Sequence, residues 1–194
     1  MLPSSRLILA AVLLVTVSCG DKEESKKRAD PEKEKAALEA TASEIEKDLP
    51  ASLKGKISFE AATVGNGDGV VVRPKGWKEA FEGNYSAPDE LGFGTSFWVS
   101  TNCDGMCEKK DWAAVSDKVD FAQYKDEKKF KVQKDEKSDE GRVLIASDED
   151  DTWIVVARWK KDAPRYVACR VKLAKEAKEA AAAFERACGT LKQL

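Results

Sequence analysis

The chain reads as an α+β protein with a mostly antiparallel sheet of about seven strands, one intervening helix and a C-terminal helix. Three observations carry that reading. Short runs of β-branched and aromatic residues between Ile57 and Thr101 are separated by turn-forming residues. Four further runs between Lys129 and Leu173 are joined by short polar turns, the pattern of a meander. One stretch of helical spacing lies between the two groups, and an alanine-rich one closes the chain.

The first two strands are Ile57 to Val64 and Val70 to Arg73. They flank Gly65-Asn66-Gly67-Asp68-Gly69, residues that tolerate positive φ. This loop has glycines but neither a following helix nor a lysine, so it reads as a turn and not as a phosphate cradle. Pro74 to Gly92 holds three glycines, two prolines and Trp77 and is expected to be mostly loop. Phe93 to Thr101 is a third strand. Asp111 to Phe121 then carries Trp112, Val115 and Val119 at helical spacing.

The meander strands are Lys129 to Glu136, Arg142 to Ser147, Thr152 to Lys160 and Arg165 to Leu173. The third of them is apolar on both sides, with Trp153, Val155, Ala157 and Trp159 on one face, so it belongs in the middle of a sheet. Lys175 to Leu191 forms the closing helix. Its residues Ala177, Ala180, Phe184, Cys188 and Leu191 recur at three and four and mark a buried stripe.

Cysteine placement follows from these periods. Val167, Cys169, Val171 and Leu173 alternate along one strand, so Cys169 faces the core. The closing helix travels about 18 Å back to Cys188, and the strand retraces about 13 Å between Leu173 and Cys169. The two sulfurs are therefore expected at similar heights on facing surfaces, as a disulfide or as two inert buried thiols. A bridge would contribute about 3 kcal/mol by the chain-entropy relation.

Cys103-Asp104-Gly105-Met106-Cys107 lies between a strand and a helix. A local disulfide between Cys103 and Cys107 is the first expectation. A redox-active pair, or a soft-metal site of the two thiolates with Met106, are the alternatives.

Composition removes whole classes of function. The chain has no histidine, which excludes Ser-His-Asp and Cys-His catalysis and histidine-ligated metals. Net charge is -2; removing residues 1–18, whose one charged group is Arg6, makes it -3. Mixed charges near neutrality supply no stripe for nucleic acid and no polybasic membrane patch. No catalytic set, metal-ligand set or cofactor motif emerges. The acids Asp148 to Asp151 lack the spaced ligands and central glycine of a calcium loop, so they read as a solvated hairpin tip. No pair of carboxylates stands out for hydrolysis. The tryptophans read mainly as core, although Trp77, Trp98 and Trp112, if exposed, could stack on glycan or grip a partner.

The N-terminal part divides the chain into 1–18, 19–50 and 51–194. Arg6 precedes an uncharged apolar run, Leu7 to Val17, shorter than the roughly 20 residues of a membrane span. The run ends in Val15-Thr16-Val17-Ser18-Cys19. This resembles the lipobox of bacterial lipoproteins, with Thr16 where leucine is usual. The resemblance implies a signal peptide cut before Cys19, acylation of Cys19, and attachment to the cell envelope by two or three acyl chains. Gly20 after the cysteine resembles sorting to the outer membrane, facing the periplasm. Asp21 to Arg28 reads as a solvated tether. Asp30-Pro31-Glu32 starts a helix whose Leu38, Ala42, Ile45 and Leu49 form a narrow stripe ended by Pro50. It is expected to be a spacer of about 18 residues, or roughly 27 Å; docking on the domain or on another chain is the alternative.

Two further resemblances touch the folded part. The strand followed by Pro74-Lys75-Gly76-Trp77, with the strand order, resembles the PsbP/Mog1-like group. A CxxxC after a strand, over Phe97 to Val115, is similar to the copper-delivering Sco proteins. Those proteins also require a distant histidine and a βα unit where this chain has a meander. The expected function is accordingly a lipid-anchored envelope lipoprotein without catalysis, binding an envelope protein or cell-wall material. Thiol-disulfide or copper handling through Cys103 and Cys107 is the alternative.

Overall fold

The computed structural model describes residues 29–103, 111–161 and 163–194. The signal segment, Cys19 and Cys107 therefore lie outside the described residues. Helix α1 spans Pro31–Lys47. Asp30 caps it by accepting the Glu32 N–H at 3.1 Å, with proline in the first turn as the sequence predicts. The helix is not a free spacer. Ala42, Ile45 and the following Leu49 are buried in the main core with Phe59, Val71 and Phe184. Glu46 accepts the Phe59 N–H at 2.6 Å, Asp48 pairs with Arg186, and Glu34 pairs with Lys192 at 2.7 Å. Among the described residues, α1 is thus packed into the same core as residues 51–194. A stripe this narrow suffices because Ala42 lets the helix approach the strands closely while Ile45 fills the space beneath it.

A distinct result is expected from Ile45→Ala. A docked helix loses about 2–5 kcal/mol of global stability when a fully buried isoleucine is cut to alanine. A solvated spacer would lose almost nothing. Urea denaturation of the two proteins distinguishes these outcomes.

Strands β1 (Phe59–Val64) and β2 (Gly69–Pro74) form the expected hairpin. They do not join the large sheet. Together with the two-residue β10 (Lys192–Gln193) they make a three-stranded sheet in the order β1-β2-β10. The large sheet does have seven strands, in the order β3-β4-β5-β9-β8-β7-β6, all neighbours antiparallel. Its extra members are β3 (Lys78–Phe81) and β4 (Asn84–Ser86), inside the stretch expected to be mostly loop. These strands are short, β3 exposed and β4 at most half-buried, so they carry no apolar alternation that a sequence pattern could display.

Strand β5 (Ser96–Asn102) starts three residues later than expected. Gly92 and Gly94 hold φ of 89° and 85°, which turns the chain before it and leaves Phe93 99% exposed. Helix α2 (Trp112–Val119) follows, and then the meander β6 (Lys131–Ser138), β7 (Gly141–Ser147), β8 (Thr152–Arg158) and β9 (Tyr166–Leu173). β8 lies inside the sheet, between β9 and β7, as its two apolar faces require. Ile154 and Val156 enter one core, and Val155, Ala157 and Trp159 enter a second on the other side. The closing segment begins as a 3₁₀ turn, Lys175–Ala180, and becomes α3 (Ala181–Gly189); no side chain caps either start. Cys169 on β9 and Cys188 on α3 form a disulfide with Cα atoms 5.6 Å apart.

The molecule is layered. The three-stranded sheet, α1 and α3 cover one face of the large sheet. α2 and a 3₁₀ turn at Ala122–Lys125 cover the other, over Trp112, Phe121, Tyr124 and Tyr166.

A candidate binding cleft at the free edge of β5

The cleft originates in a length mismatch. β4 reaches only Ser96 to Trp98 of β5, while β9 follows β5 as far as Asn102. In an antiparallel ladder alternate residues turn their N–H and C=O to opposite neighbours. The Val99 N–H donates to the Gly83 carbonyl at 2.8 Å, so Phe97, Val99 and Thr101 all face the β4 side. Beyond Gly83 no described strand stands opposite Thr101. The β3–β4 turn is itself firmly held. Gly83 has φ of 72° and donates its N–H to Glu79 Oε1 at 2.9 Å. A Cβ there would stand 2.1 Å from the Val99 carbonyl oxygen, so only glycine fits.

The resulting cleft is about 590 Å³, within the usual range for small-ligand sites. Its walls are the β3–β4 turn, with Glu79, Phe81 and Glu82, and the β1–β2 turn, with Asn66. Arg165 closes the far end. Phe81 is 60% exposed and stands edge-on to half-buried Trp98, with ring centroids 6.2 Å apart. Of the three tryptophans with functional potential in the sequence, Trp77 and Trp112 are buried and Trp98 alone reaches this surface.

Trp98 is supported from beneath. The Arg170 guanidinium lies 4.6 Å from its ring centroid and is ion-paired with Asp120, which is fully buried at the C-terminus of α2. Burial pushes the Arg170 pKa down. On the opposite face Arg73 sits 4.4 Å over the Tyr85 ring and pairs with Glu60 at 2.9 Å. Burial raises the Tyr85 pKa, Arg73 opposes the rise and Glu79 adds to it. The cleft floor is thus braced by charged pairs on both faces of the sheet.

A second cleft, of about 850 Å³, lies between the start of α2 and the β6–β7 turn. Its tryptophans already have partners. Trp112 donates to the Ala163 carbonyl at 3.0 Å and Trp159 to the Asp139 carbonyl at 2.7 Å. Both rings belong to the second core. The β5-edge cleft is the better candidate because it combines an exposed aromatic with an open strand edge.

The remaining sequence candidates fall elsewhere. Cys103, which directly follows β5, is disulfide-bonded and packs against the second core. Cys107, its expected partner, lies outside the described residues. Asp148 accepts the N–H groups of Asp150 and Asp151 at 3.1 and 2.8 Å, which holds its carboxyl below the usual range. Asp151 pairs with Lys172 at 2.8 Å. The acidic tip is therefore a self-bonded hairpin turn. Among the described residues no group of three histidine, cysteine, aspartate or glutamate side chains is placed to hold a metal ion.

One charged cluster is structural. Arg142 is buried and forms a double hydrogen bond to Asp135, at 2.7 Å for each contact. It also pairs with Asp117 and lies 4.5 Å over the Phe121 ring. Arg142 holds the Asp135 pKa low; Lys125 first and then Arg142 do so for Asp117. Carboxylates depressed in the folded state stabilise it above their unfolded pKa and lose that contribution as pH falls through the folded one. Stability is expected to hold down to about pH 4 and fall below it. The gap between the protein and its Asp135→Asn variant should close over the same acid range, read from denaturation midpoints.

Sequence reasoning missed Glu79, Phe81, Glu82 and Gly83, and the Asp120–Arg170 pair. The one local signal was Gly83 between two short polar runs, which marks a tight turn.

No family model matches the chain, and no curated protein matches it. Two solved structures are similar to it in outline: the Ran-binding protein Mog1p of Saccharomyces cerevisiae and a point mutant of Mog1. Both are 8% identical with a TM-score of 0.43; they cover 71% and 70% of this chain and 96% of their own. At that level of likeness they bear on neither partner nor activity.

Proposed function

We propose that the chain is a lipid-anchored cell-envelope lipoprotein whose folded unit is a non-catalytic binding module. The observation that carries the binding role is the braced, aromatic cleft at the free edge of β5. Anchoring rests on residues 1–20, where a short apolar run ends in the lipobox-like Val15 to Cys19. Acylated Cys19 would hold the protein on the outer membrane, facing the periplasm, with an envelope protein or cell-wall material as partner. Because α1 is docked, the tether is shorter than the sequence suggests. The residues between Cys19 and Asp30 span at most about 40 Å, so the cleft works close to the membrane surface.

A thiol-disulfide or copper-handling role through Cys103 and Cys107 is the competing reading. The bonded state of Cys103 argues against the copper half of that reading, since a thiolate metal site needs its sulfurs reduced. The test is the intact mass of membrane-extracted protein, alkylated before and after reduction. An acylated chain starting at Cys19, with no thiol alkylated until reduction, is the expected result. Alkylation of Cys103 and Cys107 without reduction, or a bound metal, would overturn the binding reading in favour of thiol chemistry.

A further inference from the structure

Resting on the binding-module reading, we infer that the β5-edge cleft takes a short extended peptide with free ends, which adds to β5 as a parallel strand. Three features of the cleft specify that ligand. The first is the backbone. The N–H and C=O of Thr101 face the cleft with no described strand opposite them, and such an edge pairs with an extended chain.

The second is the charge layout. Glu79 and Glu82 stand at the β3–β4 turn beside Val99, and Arg165 stands past Asn102, where β9 begins. The cleft is therefore acidic at the end where β5 enters it and basic at the end where β5 leaves. An ammonium group matches the first end and a carboxylate the second. A peptide so oriented runs N to C in the same direction as β5; an antiparallel one would place like charges together. Glu79 is held in position by its bond to the Gly83 N–H, and Glu82 and Arg165 are exposed and accessible.

The third is the corner made by Phe81 and Trp98. Side chains of a strand alternate between faces, so every second residue of the added peptide would lie against these rings. Polar Thr63 and Asn66 meet the alternate positions on the other side. Aromatic corners of this kind also stack on sugar rings, so an oligosaccharide is the ligand against which the peptide must be tested.

The experiment is calorimetric titration of the full chain in detergent with an alanine-rich tetrapeptide having free ends. The same peptide capped at the N-terminus alone, at the C-terminus alone and at both ends, and an N-acetylhexosamine tetrasaccharide, are titrated beside it. Saturable binding of the free-ended peptide is expected, weakened about tenfold for each end that is capped. Glu82→Gln should shrink the effect of capping the N-terminus alone, with Glu79 supplying the remainder, and Arg165→Gln should abolish that of capping the C-terminus alone. Both residues are exposed, so neither variant threatens folding. Slowed hydrogen exchange of the Thr101 N–H in the complex marks strand addition. Equal binding of free and capped peptides overturns the proposal, as does no response to the free-ended peptide at millimolar concentration. A tetrasaccharide response in that case leaves the binding module standing with a different ligand. Thiols at Cys103 and Cys107 that alkylate without reduction would remove the module reading as well.

Discussion

Phe184→Ala is expected to destabilise the protein by about 3–5 kcal/mol, a large part of the 5–15 kcal/mol that holds most domains folded. Phe184 is fully buried on α3 and touches every layer of the main core. Its ring centroid lies 5.4 Å from Phe59 on β1, 5.6 Å from Trp77 and 6.4 Å from Phe97 on β5. One side chain therefore joins the three-stranded sheet, the closing helix and the seven-stranded sheet. These neighbours are anchored on separate elements, and the Cys169–Cys188 disulfide pins α3 to β9 one turn away. The cavity cannot collapse easily, which puts the cost at the upper end of its range. Chemical denaturation followed by circular dichroism measures it. A loss below about 1 kcal/mol would show that the layers do not meet at this residue.

The second large effect is expected at Asp120. Asp120→Ala leaves the Arg170 guanidinium, itself only 19% exposed on its side chain, without its counter-charge. Removing one member of a buried pair costs about 3–5 kcal/mol, because the charge left behind stays desolvated. The control is to remove both charges. Asp120→Leu combined with Arg170→Met should recover much of the loss, since apolar replacements of a buried pair are often neutral. A double variant as unstable as the single one would show that shape, and not unpaired charge, sets the cost. Arg170 also underlies Trp98, so the single variant should alter the cleft as well as the fold.

Local pattern carried much of this architecture. The β6–β9 meander follows turn residues and alternation, and the interior place of β8 follows from Ile154 and Val156 on one face and Val155 and Trp159 on the other. The Cys169–Cys188 bridge came from two periods, a strand's two and a helix's 3.6, laid against each other. Where a residue's neighbours in sequence are also its neighbours in space, pattern is enough.

The failures share a cause. Helix α1 displayed its stripe of Leu38, Ala42, Ile45 and Leu49, but amphipathicity shows that a face is apolar and not what covers it. Its cover is β1, β2 and α3, the last some 140 positions away in the Asp48–Arg186 pair, which is 138 residues apart. Strands β3 and β4 are too short and too exposed to carry a hydrophobic period, and they exist because Gly83 and β5 provide a template. The candidate cleft depends on that template, on the early end of β4, and on an Asp120–Arg170 pair separated by 50 positions.

The sequence by itself determined the α+β class, the order of the meander, the cap and stripe of α1 and the facing positions of Cys169 and Cys188. Each is encoded within a few turns of local periodicity. Tertiary structure alone decided that α1 joins the core, that β1 and β2 leave the large sheet, and that no described strand covers the edge of β5 between Glu82 and Arg165. Those outcomes depend on which surfaces meet when distant segments pack, and a one-dimensional pattern of apolar and charged residues does not contain that choice.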